Sequence, residues 1–294
     1  MEREENNKDL YLKREQQKRW DESTAGIKKW LPVIQAGNQG VTDRMIELAG
    51  IKPGDHVLDI ATGIGDPAID VARILQKRGH VLAVDFSQQR LATARMRAKE
   101  QGMDKVIEFL ESDIEDIDLP SSKFDAILCK WGLMFFPHLN HLLVRIHNAL
   151  IPDRGVFVAT LWSTPEKVPF MKIPLSVLDK LEVPPLSSSV DPFRLSDVSV
   201  LSKIFREAEF QDVIIEWVPV VYQFDSPENY LDFAYVTSSS LRSRIATAYP
   251  DGHKQEEIRN AILEEAKSHV DSKNRLRLAN ETLLVAGRRR CPLR

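Results

Sequence analysis

Two cysteines among 294 residues, Cys129 in an apolar run and Cys291 near the end, are too few for a disulfide framework or a cysteine metal site. A reducing compartment follows as the expectation. No apolar stretch approaches the roughly 18 residues of a spanning helix, and the opening Met1-Glu-Arg-Glu-Glu-Asn6 lacks the apolar core of a signal peptide. The sequence therefore predicts a cytoplasmic protein without a transmembrane segment, and leaves peripheral contact with a membrane open. A net charge of −3 excludes a global basic field for nucleic acid, and Arg288-Arg289-Arg290 with Arg294 reads as a solvated tail. No internal repeat is visible, and nothing in the sequence sets an oligomeric state. What is present is an ordinary globular composition, 43% hydrophobic and 28% charged, enough for one large domain with additions.

The stretch His56-Val-Leu-Asp-Ile-Ala-Thr-Gly-Ile-Gly-Asp-Pro-Ala68 changes from strand chemistry to helix chemistry across a glycine turn. Val57, Leu58 and Ile60 suit a parallel strand covered on both faces. Gly63 and Gly65 give a turn whose backbone a ligand can approach. Pro67 fits the first turn of a helix whose stripe is Ala68, Val71, Ala72 and Leu75, ending at Gly79. Strand, glycine turn and helix N-terminus in that order form a nucleotide-type binding corner.

Gly63-Ile-Gly65-Asp-Pro-Ala68 also satisfies the loose dinucleotide pattern G-x-G-x-x-[GA], so an NAD-dependent oxidoreductase is one alternative. Charge argues against it, because Asp59 and Asp66 are poor neighbours for a diphosphate and suit an ammonium or sulfonium group. At this point the chain resembles the class I S-adenosylmethionine-dependent methyltransferases. Asp59-Ile-Ala61-Thr62-Gly63-Ile-Gly65 fits their D-x-G-x-G-x-G motif, with Ala61 in place of the first glycine. Within them it is similar to the ubiquinone and menaquinone biosynthesis group.

His80–Asp85 reads as a second strand ending in a carboxylate that can accept both hydroxyls of a ribose, followed by Phe86 and the helix cap Ser87. After a third strand, Val106–Leu110, the resemblance implies that Asp113 takes the adenine amino group and Ile114 lies on the ring. Phe124–Lys130 is a fourth strand, and Lys130 beside Trp131 and Gly132 suggests a surface touching cofactor and substrate. Trp30, in the leading helix, and Leu133 are expected walls of the substrate site. His138 and His141 make one i, i+3 pair without an acidic or cysteine set, so no metal is expected.

Further strands at Val156–Leu161, Val213–Phe224 and Glu281–Gly287 complete seven. The expected fold is α/β: a doubly wound, mostly parallel, seven-stranded Rossmann-like sheet with an N-terminal helical leader and helical cap insertions. The leader is residues 1–40, broken near Gly37 and Gly40. The methyltransferase domain is 41–290, with insertions at about 163–195 and 226–277, and 291–294 is a tail. The reading is methyl transfer from S-adenosyl-L-methionine to a small molecule, with a catalytically silent cofactor-binding scaffold as the second alternative. A sulfonium methyl is already activated, so positioning matters more than a base, for which His138, His141, Tyr222 and Lys130 are the weak candidates.

Overall fold

The computed structural model describes residues 2–290, with side chains from Asp9 onward. The tail at 291–294, with Cys291 and Arg294, lies outside the described residues.

Five short strands carry the parallel half of the sheet: β1 (His56–Ile60), β2 (His80–Asp85), β3 (Ile107–Glu111), β4 (Ala126–Lys130) and β5 (Val156–Trp162). β1 and β4 are buried over most of their length and β5 over all of it, whereas β3, at the edge of the sheet, buries only Ile107. With β6 (Gln211–Phe224) and β7 (Leu276–Arg288) the strand order is β3-β2-β1-β4-β5-β7-β6. β1 pairs in parallel with β2 on one side, Leu58 beside Leu82, and with β4 on the other, Leu58 beside Ile127. β7 runs antiparallel to β5, with Ala159 opposite Val285. Chain order reverses between β1 and β4, which is the switch point where open α/β sheets bind ligands beyond the strand C-termini.

The helices in chain order are α1 (Glu2–Lys29), α2 (Leu31–Ala49), α3 (Ala68–Leu75), α4 (Gln88–Glu100), α5 (Leu139–Ala149), α6 (Pro169–Lys180), α7 (Val198–Glu207), α8 (Pro227–Thr237), α9 (Ser239–Ala248) and α10 (Gln255–Lys267). α3 buries Ala68, Val71, Ala72 and Leu75 as the periodicity predicts, but ends at Gln76 in a left-handed conformation, before Gly79. The expected break at Gly37 and Gly40 is corrected too: α1 gives way to α2 at Trp30, and α2 runs through both glycines. Gly37 serves packing, since a Cβ there would lie 2.6 Å from the Tyr222 ring.

The chain divides into two compact units. The sheet unit comprises Gly40–Ser163, Asp191–Val218 and the chain from Thr282 onward. The helical unit comprises the chain up to Gln39, Thr164–Val190 and Pro219–Glu281. Within the helical unit, α1 packs closely on α8 because Gly26 has no Cβ to meet the Val236 carbonyl. Phe170, Tyr222, Phe224, Tyr230 and Phe233 form its aromatic core through mostly edge-on and tilted contacts. Among the described residues no helix is long and apolar enough to cross a membrane.

Candidate cofactor site at the switch point

The site lies within the sheet unit, where β1, β2 and β4 end. Ala61 leaves β1 with φ +56°, the left-handed region that a side chain adopts at a cost of about 1 kcal/mol or more. That conformation explains why the related motif carries glycine at this position. The chain then turns over Thr62, whose carbonyl accepts the N–H groups of Gly65 at 2.9 Å and Asp66 at 3.2 Å.

The two glycines do different work. Gly63 has φ +56°, and a Cβ built on it would meet nothing within 4 Å, so its backbone faces open space. Gly65 has φ +95°, and its Cβ would press on Ile69 at 2.9 Å and on Ala94 at 3.4 Å. Gly63 leaves room for a ligand, whereas Gly65 lets α3 and α4 close up.

Asp85 fixes this turn from below. Its Oδ2 accepts the Gly63 N–H at 2.8 Å and its Oδ1 accepts the Ser87 N–H at 2.9 Å. Ser87 in turn caps α4, its hydroxyl accepting the Arg90 N–H. The acid thus ties the end of β2 both to the glycine turn and to the residue that caps α4. Phe86 lies between them. Asp113 makes its own turn after β3 by accepting the Glu115 N–H at 2.9 Å, and Ile114 beside it is buried.

Asp59 is completely buried in β1, and its Oδ2 accepts the N–H of Ala68, the first residue of α3, at 3.2 Å. Burial pushes its pKa up to about 7, against the opposing pull of the Thr62 hydroxyl and the Lys130 ammonium. Oδ1 of Asp59 and Oγ1 of Thr62 are buried without a hydrogen-bond partner of ordinary geometry. Asp66 faces the buried Arg97, whose Nη2 is 3.8 Å away and whose Nη1 donates to the Ile64 carbonyl. The turn is therefore less anionic than its two aspartates suggest, which corrects the charge argument made from sequence. Arg97 is 31 positions from Asp66 and carries no local signal.

Lys130 ends β4 half-buried, donates to the Thr42 hydroxyl on α2 at 3.1 Å and lies 5.7 Å from the centre of the Trp131 ring. Trp131 follows with φ +54°, its N–H donating to both oxygens of Thr160. Its indole stacks on Trp162 at 4.7 Å and 11°, and its Nε1 donates to Thr282 at 2.8 Å. Trp162 was not foreseen as part of this corner, because only the register of β4 beside β5 brings the two rings together. Gly132 behind them is buried, and a Cβ there would meet Cys129 Sγ at 2.6 Å.

Leu133, expected to face substrate, is completely buried in a short turn and belongs to the core, so it offers no surface to a ligand. Trp30 belongs to the helical unit, where its indole N–H donates to Asp232 at 2.7 Å and its ring meets Phe224 and Phe233 edge-on. Of the base candidates, Tyr222 donates to Asn38 Oδ1 at 2.9 Å and burial holds it protonated far above its usual range. His138 and His141 are exposed, and no cluster of potential metal ligands occurs among the described residues.

Together these features define a doubly wound α/β sheet with a glycine turn, two carboxylates and a lysine at its switch point. A family model described as a methyltransferase domain matches residues 51–183. The 2-phytyl-1,4-naphtoquinone methyltransferase of Nostoc sp. is 32% identical over 139 residues, which cover 47% of this chain and 60% of that protein. The ubiquinone/menaquinone biosynthesis C-methyltransferase UbiE of Pseudomonas entomophila is 33% identical over 113 residues, covering 38% of this chain and 44% of the relative. The chain thus spans about half the length of these curated relatives. A solved phosphoethanolamine N-methyltransferase 2 of Haemonchus contortus, in complex with phosphomonomethylethanolamine and S-adenosylhomocysteine, shares the fold with a TM-score of 0.52 and 16% identity. It covers 86% of this chain, which in turn covers 53% of it.

Proposed function

We propose that this protein is a methyltransferase that carries a methyl group from S-adenosyl-L-methionine to a small-molecule acceptor by direct displacement. The observation that carries the reading is the open space over Gly63 beside Asp85, on a turn inside the segment that a methyltransferase-domain model matches. A cofactor with one ribose and no diphosphate suits this corner: Asp85 and Ser87 lie at the sugar position, Asp113 and Ile114 at the base. Ala61, Thr62, Gly63 and Gly65 shape the turn. Asp59 holds the turn from inside, its Oδ2 accepting the Ala68 N–H at the start of α3.

When bound, the cofactor supplies an activated methyl group on a sulfonium. The chain's own residues then have to orient the acceptor and exclude water, effects that together account for several kcal/mol of a barrier. Lys130 and the stacked pair Trp131 and Trp162 provide a cation and a flat apolar surface at the same strand ends. The quinone methyltransferases among the relatives and this flat surface both favour a planar acceptor. Trp30 remains a proposed acceptor contact. The net charge of −3 supports a small molecule over nucleic acid, and a cytoplasmic site of action is part of the proposal.

Calorimetry with S-adenosylhomocysteine and with NAD tests the reading. One-to-one binding of the first and none of the second is expected; binding of NAD alone would replace it with the oxidoreductase reading.

A further inference from the structure

We propose that Lys130, steadied by Thr42, is the residue pair that reads a carboxylate at this site, namely the amino-acid carboxylate of the cofactor. The inference rests on the methyltransferase reading above and adds a specificity-determining contact to it.

Lys130 is placed for this by three features. It is the last residue of β4, so its backbone sits at the switch point, across β1 from the strand end that carries Asp85. Its ammonium donates to a neutral hydroxyl, Thr42 Oγ1, rather than to an acid; among the described residues no carboxylate lies within ion-pair distance of it. A half-buried ammonium with only one neutral partner is left with unfilled donor capacity, since it has three N–H bonds to give. Its charge is felt by Asp59 at the end of β1 and by Asp70 in the first turn of α3.

Asp59 is completely buried, and burial raises its pKa to about 7, which weakens its opposition to the charge of Lys130. The centre of the Trp131 ring lies 5.7 Å from the same ammonium. A ligand anion arriving over Gly63 would complete the shell of Lys130. Thr42 holds the lysine chain across the strand end, so its part is positioning.

A carboxylate could come from the cofactor or from the acceptor, and binding experiments without acceptor separate them. Affinities are measured by calorimetry for S-adenosylhomocysteine, which carries the amino-acid head, and for 5′-methylthioadenosine, which lacks it. Lys130→Met is expected to weaken S-adenosylhomocysteine by about ten- to a hundredfold, the usual range for a lost charge-assisted bond. Its affinity for 5′-methylthioadenosine should stay within about twofold of the parent's, which also shows that the variant is folded. Lys130→Arg should recover most of the loss, and Thr42→Val should show a smaller loss with the same selectivity. Equal loss with both ligands, or no loss with either, overturns the proposal while leaving the methyltransferase reading intact. A parent protein that binds neither ligand overturns both.

Discussion

The Oδ2 atom of Asp85 accepts the backbone N–H of Gly63 at 2.8 Å, joining the end of β2 to the turn that follows β1. One carboxylate thereby sets both the height of the glycine turn and the start of α4. Asp85→Ala should weaken cofactor binding by about 1.5–3 kcal/mol or more, since the bond to the turn and the proposed bonds to the ribose would be lost together. Calorimetry on the folded variant checks this, and unchanged affinity would remove Asp85 from the site.

The buried Asp59 makes stability depend on pH. Its folded pKa of about 7 lies above the ordinary 3.8, so the unfolded chain gives up this proton first as pH rises. Its contribution is therefore full below about pH 4 and is lost progressively up to pH 7, by at most about 4 kcal/mol. Asp59→Asn imitates the protonated acid. It should raise the denaturant midpoint relative to the parent at pH 8, with the difference shrinking at pH 5. A variant less stable than the parent at pH 8 would show that the charged form is the favoured one.

Ala61 and Gly132 are coupled by volume. A Cβ on Gly132 would lie 2.9 Å from the Ala61 Cβ as well as 2.6 Å from Cys129 Sγ. Gly132→Ala should cost about 1–3 kcal/mol through overpacking. Ala61→Gly relieves a left-handed alanine and should be within about 1 kcal/mol of neutral. In the double variant part of the Gly132→Ala cost should disappear, a non-additivity that urea unfolding resolves. Strict additivity would mean that the two positions do not share that space.

Much of this site was legible in sequence because its parts are local. The strand, the glycine turn, the helix stripe of α3 and the carboxylate ending β2 each occupy a few consecutive residues, and each carries its own chemistry. What escaped depends on distant partners. Gly37 reads as a helix breaker until the Tyr222 ring against it is known, and Asp66 reads as an open charge until Arg97 is placed. Leu133 sits in a run that could face either way, and only the packing of its turn shows it as core. The pairing of Trp131 with Trp162 needs the register of β4 beside β5.

That pair yields a further prediction. Trp131→Phe keeps an aromatic face against Trp162 but loses the Nε1 bond to Thr282, and should cost about 1 kcal/mol of stability. Trp131→Ala also removes the stack and should cost several kcal/mol more in unfolding experiments. If Trp131 touches the acceptor, Trp131→Phe should raise KM for the acceptor while leaving S-adenosylhomocysteine affinity unchanged. Equal stability of the Phe and Ala variants would show that the stack contributes nothing.

The most direct test of methyl transfer follows the methyl group itself. The protein is incubated with S-adenosyl-L-methionine carrying a labelled methyl group and a panel of reduced quinones and other planar small molecules. Label is expected in at least one acceptor with equimolar S-adenosylhomocysteine, and Asp85→Ala is expected to abolish or greatly slow its transfer. Tight binding of the cofactor with no label transferred to any acceptor in the panel would contradict it and favour a cofactor-binding protein without turnover.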